Sequence, residues 1–87
     1  MPYTYILYSF RLDKYYVGAC IDMHRRLYEH NIGHSTFTKT GIPWILAYTE
    51  FFDHLADAKK RESYIKRMKS KKYIESLIEK NNTANSP

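Results

Sequence analysis

The chain has 87 residues, a single cysteine (Cys20) and a formal net charge of +5. That is room for one domain without a disulfide framework, and a lone thiol fits a reducing setting. No apolar run approaches the ~20 residues that cross a bilayer, and Met1-Pro2-Tyr3 does not begin a secretory leader, so a soluble cytoplasmic protein with no membrane partner is expected. A domain this small buries only about 60–65% of the surface its unfolded chain exposes. Nine Tyr, four Phe and one Trp must therefore supply much of its core.

In chain order, Tyr3 to Ser9 and Lys14 to Cys20 are dense in aromatic and branched residues and read as strands. The short link Phe10-Arg11-Leu12-Asp13 makes them an antiparallel hairpin. Alternation puts Tyr3, Tyr5 and Leu7 on one face, with Tyr16 and Gly18 sharing a face of the second strand. Asp22 is placed to cap a helix that ends near His30 or Asn31, with Gly33 as its stop. Met23, Arg26, Leu27 and His30 lie near one side of that helix, a stripe half apolar and half ionisable. Gly33 to Pro43 reads as a loop carrying Lys39. Trp44 to Phe52 reads as a third strand. Asp53 is expected to cap a helix through about Met68, with Ala58, Glu62 and Ile65 facing inward. Ser70 is expected to cap a last helix holding Ile74, Leu77 and Ile78. The class is α+β: a three-stranded antiparallel sheet flanked by helices, in the order β-β-α-β-α-α. One domain spans residues 1–80, and residues 81–87 form a polar tail expected to be disordered.

Eight basic residues fall between Lys59 and Lys72, with one acid, Glu62, among them. Such a block can neutralise phosphates and release counterions on nucleic acid. Lys39, Lys59, Lys66 and Lys69 are the candidate phosphate contacts. An inward Glu62 is costly to bury unless paired or metal-bound, and on residue physics alone a Lys partner and a hard divalent cation serve equally well. Arg26 offers a planar fork for phosphate oxygens. His30 lies one turn further on. Tyr5 and Tyr16 stand on adjacent strands, and a tyrosine can act as a base if a cation lowers its pKa. Gly18 inside a strand marks a close approach by other atoms. A zinc site built from His24, His30, His34 and His54 would have irregular spacing and only one cysteine, unlike most structural zinc sites.

Taken together the pieces resemble a known family. Tyr3-Thr4-Tyr5 followed by Ile6-Leu7, then Tyr16-Val17-Gly18 beginning eleven residues after Tyr5, resembles the paired motifs of the GIY-YIG nuclease superfamily. The first motif carries Tyr3 and Thr4 where its namesake has Gly and Ile. Arg26-Leu27-x-x-His30-Asn31, Pro43-Trp44, Glu50-Phe51 and Ala58-x-x-x-Glu62-x-x-Ile65-Lys66 extend the match over about residues 3 to 78. It is most similar to small single-domain bacterial members related to the nuclease module of the excision-repair protein UvrC. The resemblance implies a metal-dependent endonuclease that hydrolyses DNA phosphodiester bonds, structure-specific and linked to DNA repair or recombination. The alternative is a catalytically weak or inactive nucleic-acid-binding module of the same fold. It implies that Tyr5 places or deprotonates the attacking water, Tyr16 stands in the same cluster, Arg26 steadies phosphate charge, His30 hydrogen-bonds within the site, and Glu62 holds one Mg2+ or Mn2+. The partner is DNA, recognised by backbone and shape; the oligomeric state is left open.

Overall fold

The structure is a computed structural model that describes residues 1–84 and the side chains of residues 1–81. Strands β1 (Tyr3–Ser9), β2 (Lys14–Cys20) and β3 (Trp44–Phe51) form one antiparallel sheet in the order β2-β1-β3. Helices α1 (Met23–Asn31), α2 (Leu55–Met68) and α3 (Lys71–Ala84) complete the element order expected from sequence. Among the described residues no helix is long and apolar enough to cross a membrane.

The hairpin closes because its link serves several short-range demands. The Leu12 amide donates to Ser9 Oγ, the Tyr8 hydroxyl donates to Asp13 Oδ1 at 2.6 Å, and Asp13 takes a left-handed backbone with φ 51. Asp tolerates that conformation better than most side chains. Lys71 at the start of α3 reaches the same carboxylate at 3.0 Å. The hydroxyl of Tyr8 and the Lys71 ammonium hold the Asp13 carboxyl below the usual carboxylate range.

Alternation in β1 builds two cores rather than one. Tyr5 and Leu7 join Cys20 and Trp44 on one face, covered by Met23 and Leu27 of α1. Ile6 joins Val17 and Ile65 on the other, covered by Tyr73, Ile74 and Leu77 of α3. The central strand is thus buried on both sides. A bulge in β3 makes this possible: Ile6 pairs with Tyr48 and the next residue, Leu7, pairs with Leu46, which leaves Ala47 as the extra residue. The extra residue reverses the alternation. Trp44 serves the α1 face while Tyr48, four residues on, serves the α2–α3 face.

Helix ends follow the expected chemistry with two exceptions. Asp22 caps α1 by accepting from the Arg25 amide at 3.1 Å. Gly33, with φ 79, turns the chain out, and the His34 amide closes the end on the Glu29 carbonyl at 3.0 Å. Ser70 caps the start of α3 by accepting from the Tyr73 amide. Asp53, however, does not cap α2. The position falls to His54, which makes no side-chain capping bond. The reason lies in the sheet: the Phe52 amide is still bonded to the Pro2 carbonyl at 3.0 Å, and this holds the chain extended past residue 52. Asp57 in the first turn supplies favourable charge instead. The second exception is the tail. Helix α3 runs on through residues 81–84, because each added residue of an established helix gains a hydrogen bond and no Gly or Pro intervenes. Residues 85–87 of the expected tail lie outside the described residues.

One buried bond ties α2 to the sheet centre. Thr4 Oγ1 donates to the Ala58 carbonyl at 2.7 Å, and both residues are fully buried. Thr4→Val keeps the shape and removes the bond. It is expected to cost about 1 kcal/mol, lowering Tm by roughly 4–8 °C; an unchanged melting curve would show that packing alone seats the helix. Gly18 faces Tyr5 across the hairpin, and a Cβ there would land on the Tyr5 ring and hydroxyl. Gly18→Ala is expected to cost about 1–3 kcal/mol through overpacking, with the Tyr5 aromatic resonances displaced in NMR spectra.

Candidate active site

The chemistry-bearing residues meet at the β2 edge of the sheet. Tyr5 comes from the central strand and its ring lies over Gly18 in the edge strand, where only a glycine leaves the room. Helix α1 crosses this face and presents His30. The Tyr5 hydroxyl is 3.1 Å from His30 Nε2, and the other ring nitrogen, Nδ1, is 2.8 Å from Thr38 Oγ1. Thr38 is itself fixed, since its carbonyl accepts from Trp44 Nε1 at 2.7 Å. Asn31 adds a second tie by exchanging two bonds with the Trp44 backbone. Tyr16 stacks edge-on against His30, with ring centroids 5.0 Å apart, and also flanks Tyr5 and Trp44.

Charged groups ring this aromatic centre. Arg26 lies one turn before His30, its side chain 46% exposed and its nearest carboxylate, Glu29, at 3.7 Å. Glu29 is shared with Arg25 at 3.1 Å and His34 at 3.8 Å. Arg26 thus keeps its fork available to a ligand. It lines an open cleft of about 630 Å3 together with Cys20, Asp22, Arg25, Glu29 and Lys59. From α2, Lys66 places its ammonium 5.9 Å from the Tyr16 ring centre and 2.6 Å from the Glu62 carboxylate.

The electrostatics show that these groups act on one another. Burial pushes the Tyr5 hydroxyl well above its ordinary range; Tyr16 adds to the rise, Arg26 opposes it, and Glu62 raises it slightly. Burial and then Arg26 push the His30 imidazole down, so it is neutral at neutral pH. A neutral imidazole between two hydroxyls carries one proton and can donate on one side while accepting on the other.

Tyr5, Tyr16 and His30 are thus in direct contact, Arg26 and Glu62 lie near enough to act on Tyr5, and Lys66 stands against Tyr16. Lys59 stands on the Arg26 cleft and Lys69 on a groove beside Tyr16, while Lys39 is exposed on a short 3-10 turn, Lys39–Gly41. Two expectations are corrected. Glu62 is partly rather than fully buried: its side chain is 23% exposed and paired with Lys66, while Ala58 and Ile65 occupy the buried seam of α2. The basic block is also less open than its count of charges implies. Arg61 turns in to Glu50 at 3.2 Å and Tyr73 at 3.3 Å, and Lys71 is taken by Asp13. Lys59, Lys60, Arg67, Lys69 and Lys72 remain exposed, with no ion pair among the described residues.

Two contributors had escaped the sequence reading. Glu29 stands three and four residues after Arg26 and Arg25, so helical spacing could have found it. Thr38 gave no local signal, because its partner is reached across a loop. The histidines do not gather into a zinc site. Both nitrogens of His30 are engaged, and no group of three or more His, Cys, Asp or Glu that could hold a metal forms among the described residues.

Residues 1–74 match the family described as the GIY-YIG catalytic domain. A UPF0213 protein of Syntrophus aciditrophicus is 37% identical over 82 residues, covering 91% of each chain. A UPF0213 protein of Streptococcus pneumoniae is 36% identical over 78 residues, covering 88% of this chain and 78% of its own. One from Halobacterium salinarum is 40% identical over 55 residues, covering 62% of this chain and 71% of its own. No solved structure matches the chain. With most of its length matched by the family, and the two tyrosines, the arginine, the histidine and the glutamate gathered at one sheet edge, the chain belongs to the GIY-YIG nuclease family.

Proposed function

We propose that this protein is a divalent-metal-dependent endonuclease that hydrolyses DNA phosphodiester bonds, structure-specific in its cutting and employed in DNA repair or recombination. The observation that carries this reading is the contact of Tyr5, Tyr16 and His30 at one edge, with the half-exposed Arg26 guanidinium and the Glu62 carboxylate both near enough to act on the Tyr5 hydroxyl.

The donor set fits a hard cation. Mg2+ is commonly held by one or two carboxylates, with waters and phosphate oxygens completing its shell. Glu62, a partly exposed carboxylate near enough to act on the Tyr5 hydroxyl and paired here with Lys66, would hold Mg2+ or Mn2+. When bound, such an ion supplies charge neutralisation at the phosphoryl and leaving oxygens. The remaining work falls to the chain. Arg26 clamps the phosphoryl oxygens as charge grows on them. The Tyr5 oxygen accepts a proton from the attacking water while its own proton passes to His30 Nε2, and the neutral imidazole is in the right state to receive it. Thr38 keeps that ring oriented. Tyr16 packs against His30 and closes the site on the β2 side. Nothing in this arrangement reads base edges, which favours recognition by backbone and shape.

A second reading has its own support. Lys66 already neutralises Glu62 at 2.6 Å, so the same cluster is satisfied electrostatically as a binding module without turnover. One experiment separates the two: labelled duplex, branched and single-stranded DNA incubated with Mg2+ or Mn2+, with binding measured separately. For the nuclease reading, Arg26→Ala is expected to lower the cutting rate about 100- to 1,000-fold, the scale of losing one transition-state charge contact. Glu62→Ala is expected to abolish metal-stimulated cutting while leaving salt-sensitive binding in place. Salt-sensitive binding by the native protein with no cutting under either metal would establish the binding module instead.

A further inference from the structure

Phe37 is 82% exposed, the most exposed large apolar side chain among the described residues. It is not on a loose loop. The next residue, Thr38, is buried and holds both His30 and Trp44, and the Lys39 amide is bonded to the Ser35 carbonyl at 3.0 Å. The fold pins the chain on either side and still leaves the ring in solvent. Its neighbour is Tyr16, with ring centroids 6.0 Å apart at an interplanar angle of 52°. Beside the pair runs an open groove of about 580 Å3 lined by Phe37, Tyr16, Ile65, Lys66, Lys69 and Lys71. Tyr15, Val17 and Ile74 add to its apolar lining, and of these lysines Lys69 is exposed and unpaired among the described residues, while Lys66 and Lys71 are held by Glu62 and Asp13.

Exposed rings next to a basic track are how proteins hold single-stranded nucleic acid: bases stack on the aromatics while cations follow the backbone. A continuous duplex keeps its base faces covered and cannot use such rings. Tyr16 also belongs to the candidate active site, so a base held here adjoins the phosphate presented to Tyr5 and Arg26. We propose that Phe37, backed by Tyr16, is a stacking platform for an unpaired nucleobase next to the scissile phosphate, so that the protein engages single-stranded or frayed DNA in preference to continuous duplex. This rests on the nuclease reading for the role of the neighbouring phosphate, while the stacking itself is tested without cutting.

The test uses the full chain and one DNA sequence in two forms, a single strand carrying 2-aminopurine and its fully paired duplex, in EDTA at low salt. Native protein should bind the single strand more tightly and quench the 2-aminopurine as the base stacks. Phe37→Ala should weaken single-strand binding roughly 5- to 100-fold, the scale of one lost base–aromatic stack, and abolish the quench. Phe37→Trp should retain both, and Phe51→Ala, an exposed aromatic on β3 at the opposite edge of the sheet, should alter neither. Equal loss on single strand and duplex in Phe37→Ala, or no loss at all, overturns the platform. Cutting with Mg2+ or Mn2+ is scored in parallel. Cutting that continues with no dependence of strand preference on Phe37 overturns the platform and leaves the nuclease reading standing, whereas Phe37-dependent stacking without cutting supports the platform alone.

Discussion

The placement of the Tyr5 ring over Gly18 is the contact on which the candidate site depends. Register in the β1–β2 hairpin puts these residues opposite one another, and the missing side chain at Gly18 is the space the phenol occupies. A strand slipped by one residue would turn Tyr5 to the other face and separate it from His30. The hairpin link and the Lys71–Asp13 pair therefore contribute to the site at a distance, because they hold the register that aims the hydroxyl.

A second constraint follows from burying the central strand on both faces. One side of β1 carries the tyrosine and the other carries Ile6 against Ile65. Helix α2 must pack on the face away from Tyr5 and yet deliver Glu62 and Lys66 to the same edge. It does so because β2 is the edge strand: charged side chains from α2 reach the rim where the two faces meet. The Thr4–Ala58 bond sets where along the sheet α2 sits, and the β3 bulge supplies Trp44 to one face and Tyr48 to the other. The Arg61–Glu50–Tyr48 cluster then fixes α2 against β3. The basic charge of α2 is thus divided between holding the fold and facing solvent.

Electrostatically the centre is poised rather than already activated. Tyr5 holds its proton firmly because it is buried, His30 is neutral for the same reason, and Arg26 pulls on both groups. Added positive charge near the Tyr5 oxygen, from a cation or a more closely approaching arginine, lowers the cost of moving that proton.

Much of this was legible in the order of residues. Strand and helix periodicity, the Asp22 and Ser70 caps and the Gly33 stop are local features, decided by side chains a few residues apart. The expectation that the motif tyrosines, Arg26, His30 and Glu62 belong to one site rested on family resemblance, with helical phase linking Arg26 to His30. Other features depended on contacts between distant segments. The loss of Asp53 as a cap came from a Phe52–Pro2 bond, the orientation of His30 from Thr38 across a loop, and the division of the basic block from carboxylates on β3 and in the hairpin. Even the meaning of Gly18 changed: sequence marked it as a place of close approach, and the fold shows that the atoms approaching are those of Tyr5. Local periodicity settles which elements form, but a site assembled from both faces of a sheet has no local signature. Its distances depend on register and on a bulge, which only the packed chain decides.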